Sequence, residues 1–145
     1  MDQLKQTLKV AHASSVAFYM KAHNFHFNVE GPLFLQFHQL FEIIYSEVYD
    51  SIDKFGEEIR GAGSYTPYSP ARISELSLIE EPQGVVPAPQ MIQTLIQDNA
   101  KMLEIIKAAY DAAEAAGAHG LSNFLAERQD AHIKHGWMLR ATSKG

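Results

Sequence analysis

A single Gly31-Pro32 step interrupts two long stretches of helical periodicity near the start of the chain. Apolar residues recur at steps of three and four over residues 2–30 and again over residues 32–61, which is the period of an amphipathic helix. Glycine commonly ends a helix, and proline is favoured in the first turn of the next one. The step therefore predicts that two long helices form an antiparallel hairpin. The second helix has the clearest apolar stripe in the chain, made of Phe34, Phe37, Phe41, Ile44, Val48, Ile52, Phe55 and Ile59.

The segment that follows has a different character, because five of the six prolines lie between Gly61 and Pro89. A connection of this length is unusual inside a compact domain. Its apolar residues indicate a short helix within it: Ile73, Leu76, Leu78 and Ile79. Helical periodicity returns over residues 92–113 and 121–139. The predicted fold is all-α, a four-helix bundle of two hairpins joined by a long crossover that contains a short helix.

Composition narrows the class of protein. The 145 residues are 46% hydrophobic and 20% charged, which is ordinary for a soluble globular protein. Cysteine is absent, so disulfides, cysteine-based zinc sites and thiol catalysis are excluded. The net charge of −5 argues against a general affinity for nucleic acid. The sequence has no signal-peptide core and no apolar run of the ~18 residues needed to span a membrane. We therefore expect a cytoplasmic protein that does not associate with membranes.

Histidines and carboxylates form a second pattern around the Gly31-Pro32 step. His26 and His38 lie on either side of it, at about the same height on the two predicted helices. The second helix also carries Glu42, Asp53 and Glu57, and this set of ligands suits iron, manganese or zinc. His38 and Asp53 are separated by roughly 22 Å along one helix, given a rise of 1.5 Å per residue. The two cannot bind one ion within a single chain, so a complete site needs a second subunit.

Each of these residues also has a simpler interpretation. The acidic residues of the second helix could form a solvated face: Glu42, Glu47, Asp50, Asp53, Glu57 and Glu58. However, carboxylates four residues apart repel each other unless a cation lies between them, as it could between Asp53 and Glu57. An intrachain di-iron core of the usual kind needs Glu-x-x-His pairs, and this sequence contains none.

The other histidines offer alternatives. A single histidine on a helix is more often a core or surface residue than a ligand. Two pairs with a spacing of three residues could each make a two-point zinc or haem contact: His23 with His26, and His132 with His135. We expect His23 to lie beside the main site or at the surface, and His12 and His119 to be surface residues.

The stretch from His26 to Pro32, which reads HFNVEGP, resembles the Dps family of miniferritins, the DNA-binding proteins from starved cells. The match includes His38 at twelve residues after His26, and it continues through Glu42, Asp53, Glu57 and the Gly61-Ala62-Gly63 close of the second helix. The order of the later helices agrees as well. The resemblance implies that residues 1–145 form a single ferritin-like domain, and that this subunit assembles into a hollow dodecamer.

The resemblance also implies a ferroxidase function. In the family the iron sites lie at two-fold interfaces, with a histidine half from one chain and an acidic half from its neighbour. By position, His26, His38 and Glu42 would belong to one half, and Asp53 and Glu57 to the other. The implied reaction oxidises Fe(II), preferably with hydrogen peroxide, and ferric mineral collects inside the shell. Zinc is a possible substitute for iron at the same site.

The sequence departs from the family pattern at three points. Phe27 stands where tryptophan is usual, Glu42 stands where aspartate is common, and the chain begins almost directly on the first helix, without a lysine-rich tail. Twelve subunits at −5 each would carry about −60, a field that repels duplex DNA. We therefore expect DNA binding to be weak or absent. A DNA-compacting nucleoid protein with little ferroxidase role is the alternative, and a structural or zinc-holding helical assembly is a third reading.

Overall fold

Across residues 2–144, the part of the chain that a computed structural model describes, the protein forms five helices and no strand. Their bounds are α1 Asp2–Asn28, α2 Phe34–Gly61, α3 Pro70–Leu76, α4 Ala88–Ala115 and α5 His119–Ser143. The helices α1 and α2 form one hairpin, and α4 and α5 form the other. The two hairpins pack through α1 against α4, and the short α3 lies on α1. The predicted all-α plan, with a short helix in the crossover, is confirmed.

The turn between α1 and α2 occupies residues 29–33. Gly31 has a φ of +123°, a backbone conformation that glycine adopts readily and other residues rarely do. The N–H of Phe34 donates to the carbonyl oxygen of Gly31 at 3.0 Å, which closes the turn before the helix begins. Pro32 therefore lies in the turn, two residues before α2, rather than in the first helical turn as its position predicted.

The core lies between the four long helices. Its largest fully buried side chains are Phe18, Phe41, Phe55, Leu8, Ile44, Ile59, Met91, Ile92, Leu95, Met102, Ile106 and Leu125. Burying one such side chain contributes about 1.5–3 kcal/mol relative to leaving it exposed. The predicted stripe of α2 is buried from Phe37 to Ile59, but its first member, Phe34, is 40% exposed and stacks on His38. This packing holds α1 and α2 side by side.

Polar side chains of α1 hold the crossover in place by binding backbone groups of the crossover. Lys21 is buried, and its Nζ donates to the carbonyl oxygen of Glu80 at 2.9 Å and pairs with Asp98 at 2.8 Å. The N–H of Leu78 donates to Oγ of Ser14 at 3.1 Å. These contacts fix the path of the crossover over one face of α1. Within residues 2–144, none of the helices is both long and apolar enough to cross a membrane.

Candidate metal centre

The hairpin sets His26 and His38 against each other in a reciprocal pair. Nδ1 of His26 lies 2.8 Å from the carbonyl oxygen of His38, and Nδ1 of His38 lies 2.7 Å from the carbonyl oxygen of His26. The two rings are stacked, with centroids 3.7 Å apart. Because each Nδ1 faces a carbonyl oxygen, it carries the proton and donates. In the neutral form of each ring, Nε2 then keeps its lone pair, which is the arrangement of metal-binding histidines.

Glu42 adds a carboxylate to this pair. Its Oε1 lies 4.0 Å from Nε2 of His26, and the three side chains each offer a ligand atom within 4.8 Å of the others. Within residues 2–144 this is the one group of three or more histidine and acidic side chains that meets this condition. His26 is buried, His38 is half-buried and Glu42 is exposed, so the group opens towards solvent. A metal ion held here by three side chains would have further coordination positions free for other ligands.

Asp53 and Glu57 lie elsewhere on the surface of the subunit. Both are exposed on α2 and line an open cavity of about 750 Å³. They are not part of the group formed by His26, His38 and Glu42. The structure thus separates the five candidate ligands into a histidine half, made of His26, His38 and Glu42, and an acidic half, made of Asp53 and Glu57.

His12 lies in the wall of the acidic half, and its prediction as a surface residue was wrong. It is 2% exposed, and its ring lies 5.6 Å from that of Tyr68 in the same cavity. Burial lowers the pKa of His12, so the ring is neutral near pH 7. Its Nδ1 is buried without a hydrogen-bond partner among the described residues, which favours the tautomer with the proton on Nε2. The spacing from Leu8 through His12 to Val16 is the signal that could have revealed its burial.

His23 lies beside the histidine half, as expected. Its ring is half-buried and stacks on Tyr45 at 4.1 Å and on Phe27 at 4.5 Å. The hydroxyl of Tyr19 lies 3.3 Å from its Nδ1. Burial, and to a smaller extent the neighbouring His26, lowers the pKa of His23. His119, at the first residue of α5, is exposed as predicted.

The second histidine pair is part of a polar network inside the bundle. Nδ1 of His132 donates to Oδ1 of Asn99 at 2.8 Å, and its Nε2 accepts from Arg128 at 3.3 Å. Nε2 of His135 lies 2.8 Å from the carboxylate of Glu47, which also forms a two-point ion pair with Arg128. Both ring nitrogens of His132 are therefore engaged in hydrogen bonds. The guanidinium of Arg128 supplies the positive charge that a metal ion would otherwise provide.

Glu47 belongs to this network. The alternative in which the acidic residues of α2 form a solvated face was therefore wrong for Glu47. Burial opposes its ionisation, but hydrogen bonds from His135 and Arg128, together with their charges, prevail and lower the pKa of Glu47 to about 2. The carboxylate is thus ionised at all ordinary pH values. No pattern local to α2 distinguishes Glu47 from its exposed neighbours, because its partners are more than eighty residues away.

Comparison with known proteins agrees with this geometry. A family model described as a ferritin-like domain matches residues 2–144. The "DNA protection during starvation protein" of Brevibacillus brevis is 33% identical over 129 residues, covering 89% of this chain and 87% of that protein. The crystal structure of a Dps protein from Bacillus brevis superposes with a TM-score of 0.92 at 31% identity, covering 96% of this chain and 93% of that one. Dps from Thermosynechococcus elongatus gives a TM-score of 0.96 at 26% identity, with 99% and 92% covered.

The fold and these matches define a ferritin-like four-helix subunit. The chain belongs to the ferritin-like family and, within it, to the Dps proteins. The resemblance that the HFNVEGP motif indicated is therefore confirmed.

Proposed function

We propose that this chain is the subunit of a cage that oxidises Fe(II), preferably with hydrogen peroxide, and stores the product as ferric mineral. The observation that carries the proposal is the reciprocal pair of His26 and His38 with Glu42 beside it. Two imidazoles with oriented Nε2 lone pairs and one carboxylate form half of an iron site. Carboxylates stabilise Fe(III) as it forms, and positions left open admit peroxide.

The other half of the site comes from a second copy of the chain. In a two-fold pair the same surfaces of both subunits meet, so the histidine half of each chain can face the acidic half of the other. Asp53 and Glu57 then complete the ligand set, and each pair of subunits holds two equivalent sites. Six such pairs form the dodecamer that we propose, with the mineral inside it.

The proposed reaction consumes iron and peroxide together. Two Fe(II) ions each give one electron to one hydrogen peroxide, and two protons are taken up, so that two Fe(III) ions and two water molecules result. Both reactants of hydroxyl-radical chemistry are thereby removed from the cytoplasm, where we place this activity. Zinc suits the same imidazole and carboxylate ligands and should compete with iron for the site.

The ligands can be tested by titrating the assembled protein with Fe(II) without oxygen and then adding peroxide, with absorbance and particle mass as readouts. His26→Ala, His38→Ala and the double variant Asp53→Ala/Glu57→Ala should each slow oxidation by at least about tenfold, while the helical content is unchanged. The matched control is Glu104→Ala/Glu114→Ala, which removes two exposed carboxylates from α4. Normal iron oxidation by the Asp53→Ala/Glu57→Ala variant would show that these two acids are only surface charges and not ligands.

DNA binding is the second candidate, because the relative from Brevibacillus brevis is named for protecting DNA. Binding by counterion release needs several lysines or arginines presented together, and a dodecamer of subunits at −5 each would carry about −60. We expect plasmid to survive iron and peroxide when the protein is present, yet to run as free DNA in a gel shift at ~0.15 M salt. A clear shift at that salt concentration would favour the nucleoid protein instead.

A further inference from the structure

Three tyrosines lie in series between the histidine half and the acidic half of each subunit. The ring of Tyr45 is 5.1 Å from that of His26 and 6.1 Å from that of Tyr19. The ring of Tyr19 is in turn 5.1 Å from that of Tyr49. Tyr49 lies one turn before Asp53 on α2 and lines the same cavity. We call Tyr45, Tyr19 and Tyr49 the tyrosine chain.

The residues of the tyrosine chain are of a type that suits electron transfer. Among residues 2–144, the aromatic rings found within 6.0 Å of His26 belong to His23, Phe27, His38 and Tyr45. Only the phenol of Tyr45 can readily lose an electron together with a proton. An oxidising species formed at the histidine half therefore meets one oxidisable side chain, and that side chain leads to Tyr19.

In the tautomer of His23 that carries its proton on Nε2, Nδ1 accepts a hydrogen bond from the hydroxyl of Tyr19. The hydroxyl oxygen lies 3.3 Å from Nδ1 of His23, and the ring of His23 is held in place by stacking on Tyr45 and Phe27. A phenol that is oxidised must release its proton. The hydrogen bond to His23 gives that proton a place to go and a route for its return.

The ends of the tyrosine chain belong to two different iron sites, and this point rests on the function proposed above. In a two-fold pair the histidine half of one chain faces the acidic half of the other. The histidine half of a given chain then belongs to one iron site of that pair, and the acidic half of the same chain belongs to the other iron site. Glu42 and Asp53 are roughly 16 Å apart along α2, and the tyrosine chain lies between them.

Such a connection has a chemical use when iron is scarce. Peroxide must accept two electrons to become water, but a site that holds a single Fe(II) supplies only one. The first electron cleaves the O–O bond and gives Fe(III), hydroxide and a hydroxyl radical. Without a second electron nearby, that radical would attack the protein or escape.

We propose that the tyrosine chain carries the second electron from an Fe(II) ion in the partner site of the same two-fold pair. Tyr45 gives a hydrogen atom to the hydroxyl radical, which becomes water. Tyr19 then reduces the Tyr45 radical while its own proton moves to His23, and Tyr45 regains a proton from solvent. Tyr49 reduces Tyr19, the proton returns from His23, and the exposed Tyr49 releases its own proton to solvent.

Fe(II) in the second site reduces the Tyr49 radical, which takes up a proton, and the hydroxide from the first step takes up another. The sum is two Fe(II), one peroxide and two protons giving two Fe(III) and two water molecules. The overall reaction is the one already proposed, but the two iron ions no longer need to share a site.

The test uses the assembled protein loaded without oxygen with less than one Fe(II) per site, followed by one peroxide for every two Fe(II) and rapid freezing. Electron paramagnetic resonance measures phenoxyl radical, a spin trap measures hydroxyl radical, and a colorimetric assay measures Fe(II) oxidised per peroxide. Ring-deuterated tyrosine in the unaltered protein should narrow the radical signal. The variants are Tyr19→Phe, Tyr45→Phe and Tyr49→Phe, which keep the rings and remove only the hydroxyl. Tyr65→Phe, at an exposed crossover position, is the matched control.

We expect the unaltered protein and Tyr65→Phe to form a transient phenoxyl radical and to oxidise two Fe(II) per peroxide. Tyr19→Phe should move that ratio towards one and leave a longer-lived phenoxyl radical on Tyr45, whereas Tyr45→Phe should raise trapped hydroxyl radical severalfold. With every site saturated by iron, the variants should match the control, because each site then supplies both electrons. Absence of a phenoxyl signal in the unaltered protein, or a Tyr19→Phe result equal to the control at low iron, would overturn the proposal. Failure to oxidise iron even at saturation would reject the ferroxidase function itself.

Discussion

At the scale of single residues, the ion pair between Glu47 and Arg128 determines how the bundle core responds to acid. The pKa of Glu47 is lowered from its ordinary value of 4.5 to about 2. A group whose pKa is lowered in the folded state stabilises that state above its unfolded pKa. The contribution is lost as the pH falls through the folded value. The core should therefore lose stability between about pH 4.5 and pH 2.

Replacing Arg128 tests this interpretation. Arg128→Met removes the guanidinium and leaves Glu47 with His135 alone, so the free energy of unfolding at pH 7 should fall by about 1–3 kcal/mol. The loss of stability between pH 4.5 and 2 should also become shallower. Urea unfolding at equal subunit concentration measures both. Lys107→Met is the control, because it breaks an exposed pair with Asp111 that is worth about 0.5 kcal/mol or less. Equal effects of the two changes would show that the Glu47 pair has no special role.

The surroundings of a residue could be predicted when its partners lie close to it in the sequence, and not when they lie far along the chain. His26 and His38 face each other because a single tight turn joins their helices. Their similar distances in sequence from Gly31 were therefore enough to predict the contact. Glu47 and His12 were misjudged because their neighbours come from α5 and from the crossover. A local pattern of polar residues on one helix cannot show which of them is covered by a distant segment.

At the scale of helices, the α1–α2 turn sets the register of the histidine half. Gly31→Ala places a side chain at a φ of +123°, which should destabilise the hairpin by about 1 kcal/mol or more. It should also weaken binding of Zn²⁺ to the oxidant-free protein, because His26 and His38 bond to each other's backbone across this turn. Calorimetric titration and thermal unfolding measure the two effects. Gly120→Ala, at a helical position with open space around it, should leave the zinc affinity unchanged and raise the thermal stability slightly, because alanine favours the helix. Unchanged zinc affinity in Gly31→Ala would mean that the turn does not position the ligands.

The helices themselves were largely predictable, because their apolar stripes are long and regular. The start of α2 was misjudged by two residues, since Pro32 takes part in a turn that its helix-starting tendency does not reveal. The path of the crossover could not be predicted. It depends on Lys21 and Ser14, whose side chains bind backbone groups near residue 80 and appear in the sequence as ordinary polar positions on α1.

At the scale of the whole molecule, the proposed function depends on assembly. A subunit contains both halves of the proposed site, but they lie apart on α2 and cannot bind one ion. The rise of a helix was sufficient to predict this separation from sequence. A change that blocks the two-fold contact should therefore abolish rapid iron oxidation while the subunit stays helical. Full activity in an isolated subunit would contradict this expectation.

The central claim is that each iron site is shared between two chains, and complementation tests it most directly. One variant, His26→Ala/His38→Ala, lacks the histidine half, and the other, Asp53→Ala/Glu57→Ala, lacks the acidic half. Each should be inactive when assembled alone. When equal amounts are dissociated, mixed and reassembled, half of the two-fold pairs contain one chain of each kind, and each such pair has one intact site. The mixture should therefore recover about one quarter of the unaltered rate of peroxide-dependent iron oxidation. A mixture no more active than the separate variants would contradict the shared site.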